Sequence, residues 1–502
     1  MPTIHHRVSV WPLSPRHRNN DEVNSNRWKL TGPGNHFVKG SKNEFRTSDS
    51  GKQSKKPVYF ARFFRTGTCR EQSKIQMIQT VPAMRHTDEH YDVVVVGGGI
   101  MGVATAYNLA KTGVSVAVFE KGRVGGEQSS RAWGAVRQQE RAPAELPLMI
   151  ESIRLWAVLE AELGESLDWR QQGHLALVYD EKTSEEFEKW IPIGRAHGLD
   201  TRMLTGEEVR KLLPHYRDSE CRGGLFTSSD GCAEPEKVAV AFAGAARRRN
   251  AKIFEFTSVA SIETENGRAC ALWTERGRVK ANAIVVAAGA WTSRLLKPLE
   301  IEHPSLWIRG SVARTGVLPI NLRKLVPWGK TAYRQRSDGR VNIAVARAGI
   351  HDLGKESLRF GAKFLPTARH NCRNLRFCLG SHAIRDLMGE FDDFTTHRTL
   401  DPRPDWKRLE KTAALFSQEY PEAGPIRLER GWAGFMDFMP DELPVMGEIP
   451  GFRGLFIAAG FSGAGFGMGP VVGRIMADLV SANDTGHDLR HFSPTRFSKS
   501  RG

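Results

Sequence analysis

Cysteine is scarce in this chain of 502 residues, and its six copies (Cys69, Cys221, Cys232, Cys270, Cys372 and Cys378) form no CxxC pair. That spacing excludes a zinc module or a disulfide framework and suits free thiols in a reducing compartment. No uninterrupted apolar run approaches the length of about eighteen residues that a membrane helix needs, so no transmembrane segment is expected. Acidic residues are also few. Against 72 Lys and Arg there are 56 Asp and Glu, a net charge of +16. Such an excess raises nucleic acid or an anionic membrane surface as a partner. Yet roughly ten of the sixteen excess charges fall in residues 1–88, and the remainder is only mildly basic. Nucleic acid is therefore not expected as a partner. The expected location is cytoplasmic, with peripheral membrane association and organellar targeting both left open.

Residues 1–88 lack apolar periodicity at 3.6 or 2 and are rich in Arg, Lys, Asn, Ser and Pro, which predicts a disordered basic extension. Three readings fit it: a targeting peptide, a nucleic-acid-binding arm, or a start assigned too early, with Met77 or Met84 the natural beginning. The last is preferred. Asp21, Glu22 and several prolines spoil the amphipathic helix that targeting requires.

Order begins at Tyr91. The run Asp92-Val93-Val94-Val95-Val96 is β-branched and continuous, as in a parallel strand buried on both faces. It enters Gly97-Gly98-Gly99-Ile100-Met101-Gly102 and a helix that Gly113 ends; Val114–Phe119 then forms a strand closing on Glu120. This βαβ unit of about thirty residues has the length of a dinucleotide-binding half. In G-x-G-x-x-G, Gly97 permits the tight turn, Gly99 lets backbone N–H groups approach a pyrophosphate at the helix N-terminus, and Gly102 allows close helix–strand packing. Glu120, eighteen residues after Gly102, suits a carboxylate accepting from ribose hydroxyls and disfavours a 2′-phosphate.

Farther on, Glu145–Leu163 and Pro235–Arg249 read as amphipathic helices. Strands are expected at Gly173–Tyr179, Lys252–Val259, Ala269–Thr274, Ala283–Ala287 and Leu455–Ala459. Thr331–Arg336 and Val341–Val345 form a hairpin turning at Ser337-Asp338-Gly339, and a helix is expected over Pro470–Ser481. Residues 303–425 carry few other signals.

The residues after Glu120 run Lys121-Gly122, then Gly125-Gly126-x-x-Ser129-Ser130-Arg131, then Gly134-x-x-Arg137-Gln138-Gln139. Here the chain resembles the D-amino-acid oxidase superfamily of FAD enzymes, which includes glycine oxidase, sarcosine oxidase and the opine oxidases. Further blocks follow in the family's order: Asp230-Gly231 with Pro235, Val285-Val286-Ala287-Ala288-Gly289-Ala290-Trp291, Trp432-Ala433-Gly434 with Pro440-Asp441 and Pro444, and Gly460-Phe461-Ser462-Gly463-x-Gly465-Phe466-Gly467. The resemblance covers about residues 91–482.

It implies an α/β fold: a glutathione-reductase-like Rossmann domain for FAD, interleaved with an α+β substrate domain on an antiparallel sheet. The FAD domain is expected over 89–168, 225–300 and 426–490, the substrate domain over 169–224 and 301–425, and a tail over 491–502. The resemblance further implies non-covalent FAD held by Gly97, Gly98, Gly99, Ile100, Met101, Gly102, Glu120, Lys121, Ser129, Ser130, Val259, Ala288, Gly289, Trp291, Gly434, Gly460, Phe461, Ser462, Gly463 and Gly465. The implied activity is oxidation of the C–N bond of a small amine or amino acid (an opine, N-alkyl amino acid or D-amino acid) by hydride transfer to flavin N5. The imine formed then hydrolyses. Electrons would pass to oxygen, a quinone or a partner protein, and relatives that work in larger complexes make a hetero-oligomer plausible.

Several positions depart from the family. Met436 replaces the Arg that holds substrate carboxylate in glycine and D-amino-acid oxidases. Gly434 replaces the cysteine that tethers flavin in sarcosine oxidases, and Ala464 and Gly467 replace their His and Lys. The remaining candidates for an anionic substrate are Arg137, Tyr333 and Arg334, with Arg314 behind them; an Arg fork beside a Tyr hydroxyl suits a carboxylate. Each is also a plain candidate for a packed stem or an ion pair. His303 and His382 are set aside as structural. Two alternatives stand beside this reading: a catalytically silent or partner-dependent flavin subunit, and an NAD-dependent dehydrogenase. The second requires that the later glycine turns stay away from the cofactor.

Overall fold

The computed structural model describes residues 89–345, 349–371 and 375–497; the expected extension 1–88 lies outside them. The apolar run Val93–Val96 forms the middle of a mostly parallel sheet, and all four residues are buried. Its main path runs Val445–Glu448, Leu455–Ala459, Gly277–Val286, His90–Val96, Val116–Phe119, Lys252–Phe254. Four of these pairings are parallel, and only the edge strand Val445–Glu448 is antiparallel. A hairpin, Val259–Glu265 with Arg268–Thr274, pairs onto Gly277–Val286. Helices Ile100–Lys111, Leu146–Leu163, Pro235–Arg248 and Gly465–Val480 share one hydrophobic core with the sheet.

The second sheet is predominantly antiparallel and has six strands. Its centre is the pairing of Leu306–Val317 with Leu428–Phe438 over ten positions. The expected hairpin is present as Ala332–Gln335 against Arg340–Ala344, with Gly339 in the left-handed region at φ +80°. A separate three-stranded antiparallel sheet joins His174–Val178, Gly223–Thr227 and Arg202–Thr205. The α/β class with an antiparallel companion sheet is thus the one expected.

Two sequence expectations need correction. The boundary at 426 cuts through the wrong sheet, because Leu428–Phe438 is a strand of the antiparallel sheet, not of the parallel one. The last helix begins at Gly465, five residues before Pro470. Glycine at 465, 467 and 469 reads as a loop, but here it joins Gly473 in a helical packing face. A Cβ at Gly469 would lie 2.4 Å from Ile100, and one at Gly473 would lie 2.5 Å from Ala104. Helix-on-helix contact at that range admits only a hydrogen as the side chain, and this interface outweighs glycine's poor helix propensity.

Candidate functional site

A cavity of about 180 Å³ lies at the carboxyl ends of the parallel strands, where ligands bind in open α/β sheets. Gly97, at φ +108°, turns the first strand into the helix; a Cβ there would lie 2.4 Å from the Ala287 carbonyl oxygen. The helix then starts at Ile100, after an N-cap glycine that has no side chain, and Ile100 N donates to Ser129 Oγ at 2.9 Å. The remaining first-turn N–H groups and the positive end of the dipole face the cavity wall, a ready anion site.

Glu120 closes the second strand. Its two oxygens accept from Gly98 N and Gly122 N, each at 2.7 Å, leaving further lone pairs for a ligand hydroxyl. Burial raises its pKa, and those two N–H donors oppose the rise.

Fourteen of the expected cofactor residues line this one cavity: Gly97, Gly99, Ile100, Met101, Glu120, Lys121, Ser129, Val259, Ala288, Gly289, Trp291, Phe461, Gly463 and Gly465. The other six do not, and each has a local task instead. Gly98 N holds Glu120. Gly102 lets the helix approach, since a Cβ would lie 2.0 Å from the Gly97 oxygen. Ser130 Oγ donates to the Glu127 carbonyl at 3.2 Å. Gly434 makes room for Gln128, whose Oε1 would lie 2.3 Å from a Cβ. Gly460 N donates to Asp437 at 2.6 Å, and Ser462 Oγ accepts from Met439 N at 3.0 Å.

The three residues expected to bind substrate do not line the cavity. Arg334 is fully buried; Nη1 donates to Glu234 Oε1 at 2.6 Å and Nε to the Trp133 carbonyl. Tyr333 is fully buried too. Its hydroxyl meets that of Tyr420, and its ring packs on Phe416. Both belong to the packing around the antiparallel sheet, which corrects the expectation that they are placed to bind an anionic substrate. Arg137 donates to the Gln139 carbonyl, and its guanidinium lies 5.6 Å from the Trp328 ring centroid. Arg314 does not line the cavity either.

Sequence reasoning missed Glu127, Gln128, Phe394, Phe435 and Asp437, all of which line the cavity. Glu127 accepts from Lys121 Nζ at 2.8 Å, Trp291 Nε1 at 3.0 Å and Leu400 N at 2.9 Å. Lys121 Nζ also donates to His397 O and Arg398 O at 3.0 Å. All three of its donors are spent inside the protein, so Lys121 lines the cavity as a strut. A carboxylate between two glycines and two serines was visible in sequence and was the available signal. Phe394 lies in the signal-poor segment and offered none.

The residues fit a bound dinucleotide. Gln128 Oε1 is buried without a hydrogen-bond partner at the cavity wall, where a ligand hydroxyl would satisfy it. A Cβ built on Gly289 would meet nothing within 4 Å. All three glycine-rich turns, 97–102, 288–289 and 461–465, reach the same cavity, which a nicotinamide domain of a single βαβ motif does not need.

Comparison with known proteins agrees. The family model described as FAD dependent oxidoreductase matches residues 92–479. The chain is 27% identical to glycine oxidase of Geobacillus kaustophilus over 81% of its own length and 97% of the relative's. It is 26% identical to sarcosine oxidase subunit beta of Rhizobium meliloti, covering 83% and 91%. The fold matches L-amino acid deaminase from Proteus myxofaciens with a TM-score of 0.77 at 27% identity, covering 84% of this chain and 96% of that one. Among the described residues no helix is long and apolar enough to cross a membrane. The chain belongs to the FAD dependent oxidoreductase family, and FAD is its cofactor.

Proposed function

We propose that the chain oxidises the C–N bond of a small amine or amino acid (an opine, an N-alkyl amino acid or a D-amino acid), giving an imine that water hydrolyses. The observation that carries this reading is the composition of the cavity. Its lining combines a polar set, Gly97, Gly99, Glu120 and Ser129, with an apolar set, Phe394, Phe435, Met436 and Phe466. The similar proteins named above act, by their names, on glycine, sarcosine and L-amino acids. The bound flavin supplies the hydride acceptor. The protein's part is to hold a neutral amine with its Cα–H against that acceptor in an apolar enclosure, where orientation supplies much of the rate.

Attachment of the flavin is read as non-covalent, since Gly434 carries no nucleophile and none of the described cysteines lines the cavity. Arg137 stays the proposed guanidinium for a substrate carboxylate, which it would reach by releasing the Gln139 carbonyl, since it does not itself line the cavity. It follows Val136, whose Cα lies 3.5 Å from a Cβ built on Gly467 in the first turn of the last helix, and it is nearly buried. Tyr333 and Arg334 are withdrawn from this role.

The test is an anaerobic titration of the yellow holoprotein with opines, N-methyl amino acids, D-amino acids and polyamines in turn. Bleaching by one class names the substrate. A yellow protein that none of them bleaches points to a subunit dependent on a partner, as the relative named a subunit suggests. A colourless protein that FAD cannot reconstitute overturns the reading.

A further inference from the structure

We propose that a second, apolar cavity beside the flavin cavity is the docking site of a quinone that takes the electrons. The inference deepens the amine-oxidation reading by naming the acceptor, and it depends on that reading only for the source of the electrons.

The second cavity has a volume of about 210 Å³ and is walled largely by Leu306, Ile308, Phe364, Leu375, Phe377 and Phe438. An apolar cavity of roughly 150 Å³ accommodates a benzene ring, so this one has room for a substituted quinone ring. Its position sets it apart from a packing defect. Successive side chains of a strand point to opposite faces. On Leu428–Phe438, Phe435 and Asp437 on one face line the flavin cavity, Phe438 on the other lines the second one, and Met436 on that same face also reaches the flavin cavity.

Met436 is the septum between the two. It lines the flavin cavity, and it packs against a cluster whose Leu306, Ile308, Phe364 and Phe438 wall the other. Its Sδ would lie 3.2 Å from a Cβ on Gly463, a residue of the flavin cavity. The two cavities are therefore one side chain apart, close enough for electrons to pass without direct contact of the two rings.

The second cavity also has a polar end. His351 Nδ1 lies 2.9 Å from the Trp307 carbonyl and Nε2 lies 2.9 Å from Ser357 Oγ, and both residues line the cavity. A carbonyl only accepts, so Nδ1 bears the proton and the neutral ring accepts from Ser357 through Nε2. A quinone oxygen entering here would accept from the Ser357 hydroxyl as it turns away from His351 Nε2, and the two protons of the quinol come from solvent.

Finally, the outer wall suits an apolar visitor. Leu365 and Phe377 line the cavity and are half exposed, and residues 355–388 carry seven of the twelve exposed large apolar side chains among the described residues. Lys355, Lys363, Arg376 and Arg385 there pair with Asp392, Glu302, Asp405 and Glu390, so it is the apolar side chains, not a net positive charge, that suit this wall to a lipid-soluble quinone.

The electron balance closes. An amine bearing N–H loses its Cα–H as hydride and its N–H as a proton, and the C=N bond forms. The quinone gains the same two electrons and takes two protons on its oxygens, becoming the quinol.

The experiment begins with holoprotein photoreduced by a sacrificial donor, with no amine present, so that the acceptor question is separate from the substrate question. A decyl-substituted benzoquinone is then added without oxygen. Rapid return of the yellow colour, and saturable quenching of tryptophan fluorescence by the same quinone in the oxidised protein, are expected. Gly361 lines the cavity, and a Cβ there would meet nothing within 4 Å, so Gly361→Leu fills the cavity without a backbone clash. It is expected to weaken quinone binding and slow quinone re-oxidation about tenfold or more, with flavin content and re-oxidation by ferricyanide unchanged. Gly361→Ala should behave nearly as wild type.

An azidoquinone should label peptides within 353–369 or 436–442, a readout that stands even if the Leu variant folds poorly. A photoreduced protein that the quinone does not re-oxidise, equal quinone reaction in Gly361→Leu, or labelling confined to other peptides would each overturn the proposal. Quinone re-oxidation without bleaching by any amine would instead sink the amine reading and leave this one standing.

Discussion

The backbone of Ala104 lies against Gly473 with no room for a side chain: a Cβ on Gly473 would sit 2.5 Å from the Ala104 Cβ and 2.7 Å from its carbonyl carbon. This contact fixes the last helix against the helix whose N-terminus walls the flavin cavity. Gly473→Val should destabilise the fold by about 3 kcal/mol through overpacking, and it should lower flavin content because Ile100 and Met101 move with their helix. Urea unfolding and the ratio of flavin to protein absorbance measure the two effects. A variant with full flavin content and unchanged stability would show that the helices can separate freely.

Glu127 ties three elements of the cavity wall together through Lys121, Trp291 and Leu400. Glu127→Leu leaves the mostly buried Lys121 ammonium without its carboxylate, and it should weaken FAD binding about tenfold or more, measured by quenching of flavin fluorescence. The paired change Glu127→Leu with Lys121→Met removes both charges. It should recover part of the loss, because an unpaired charge is worse than none. Equal losses in the single and paired variants would place the effect in Trp291 or Leu400 rather than in the ion pair.

The parts of the site that were legible in sequence are those where the backbone itself is the functional group. Gly97 and Gly463 betray themselves because their positive φ, and at Gly97 the close Ala287 carbonyl, disfavour any side chain, and that constraint is local. Glu120 was equally legible, since its distance along one βαβ unit fixes where it ends. Asp437 was not, because it reaches the cavity only through a sheet whose pairing spans over a hundred residues, as Leu306–Val317 with Leu428–Phe438 does, and Phe394 was not, because it sits in a turn with no local signal. Tyr333 and Arg334 were misjudged for a related reason. Residue type marks a side chain as able to bind a carboxylate, while Glu234 and Tyr420, which occupy them, lie about ninety or more residues away in sequence.

Arg334 is therefore expected to matter for stability and not for substrate. Its partner Glu234 also pairs with Arg336 at 2.6 Å, so the cluster holds two cations on one buried carboxylate. Arg334→Ala should cost roughly 3–5 kcal/mol, since it leaves part of that carboxylate uncompensated. Once folded at low temperature, the variant should keep its KM for any carboxylate substrate. A tenfold rise in KM with unchanged stability would return Arg334 to the substrate site.

Asp437 gives a pH signature. Its carboxylate is buried at the cavity wall, and burial pushes its pKa up to about 6, against the pull of the N–H groups of Gly460 and its neighbours. A carboxyl whose folded pKa is raised binds its proton more tightly in the native state. Its contribution is therefore full below the unfolded value, near 4, and is lost as pH rises towards 6. Across that window the wild type should lose about 3 kcal/mol relative to Asp437→Asn, which cannot titrate but can still accept from Gly460 through its amide oxygen. Above pH 6 the difference should be flat. Denaturation curves of both proteins at half-unit intervals from pH 4 to 8 check this. Parallel profiles for the two would mean that the carboxyl titrates normally, with water or another group reaching it through the flavin cavity.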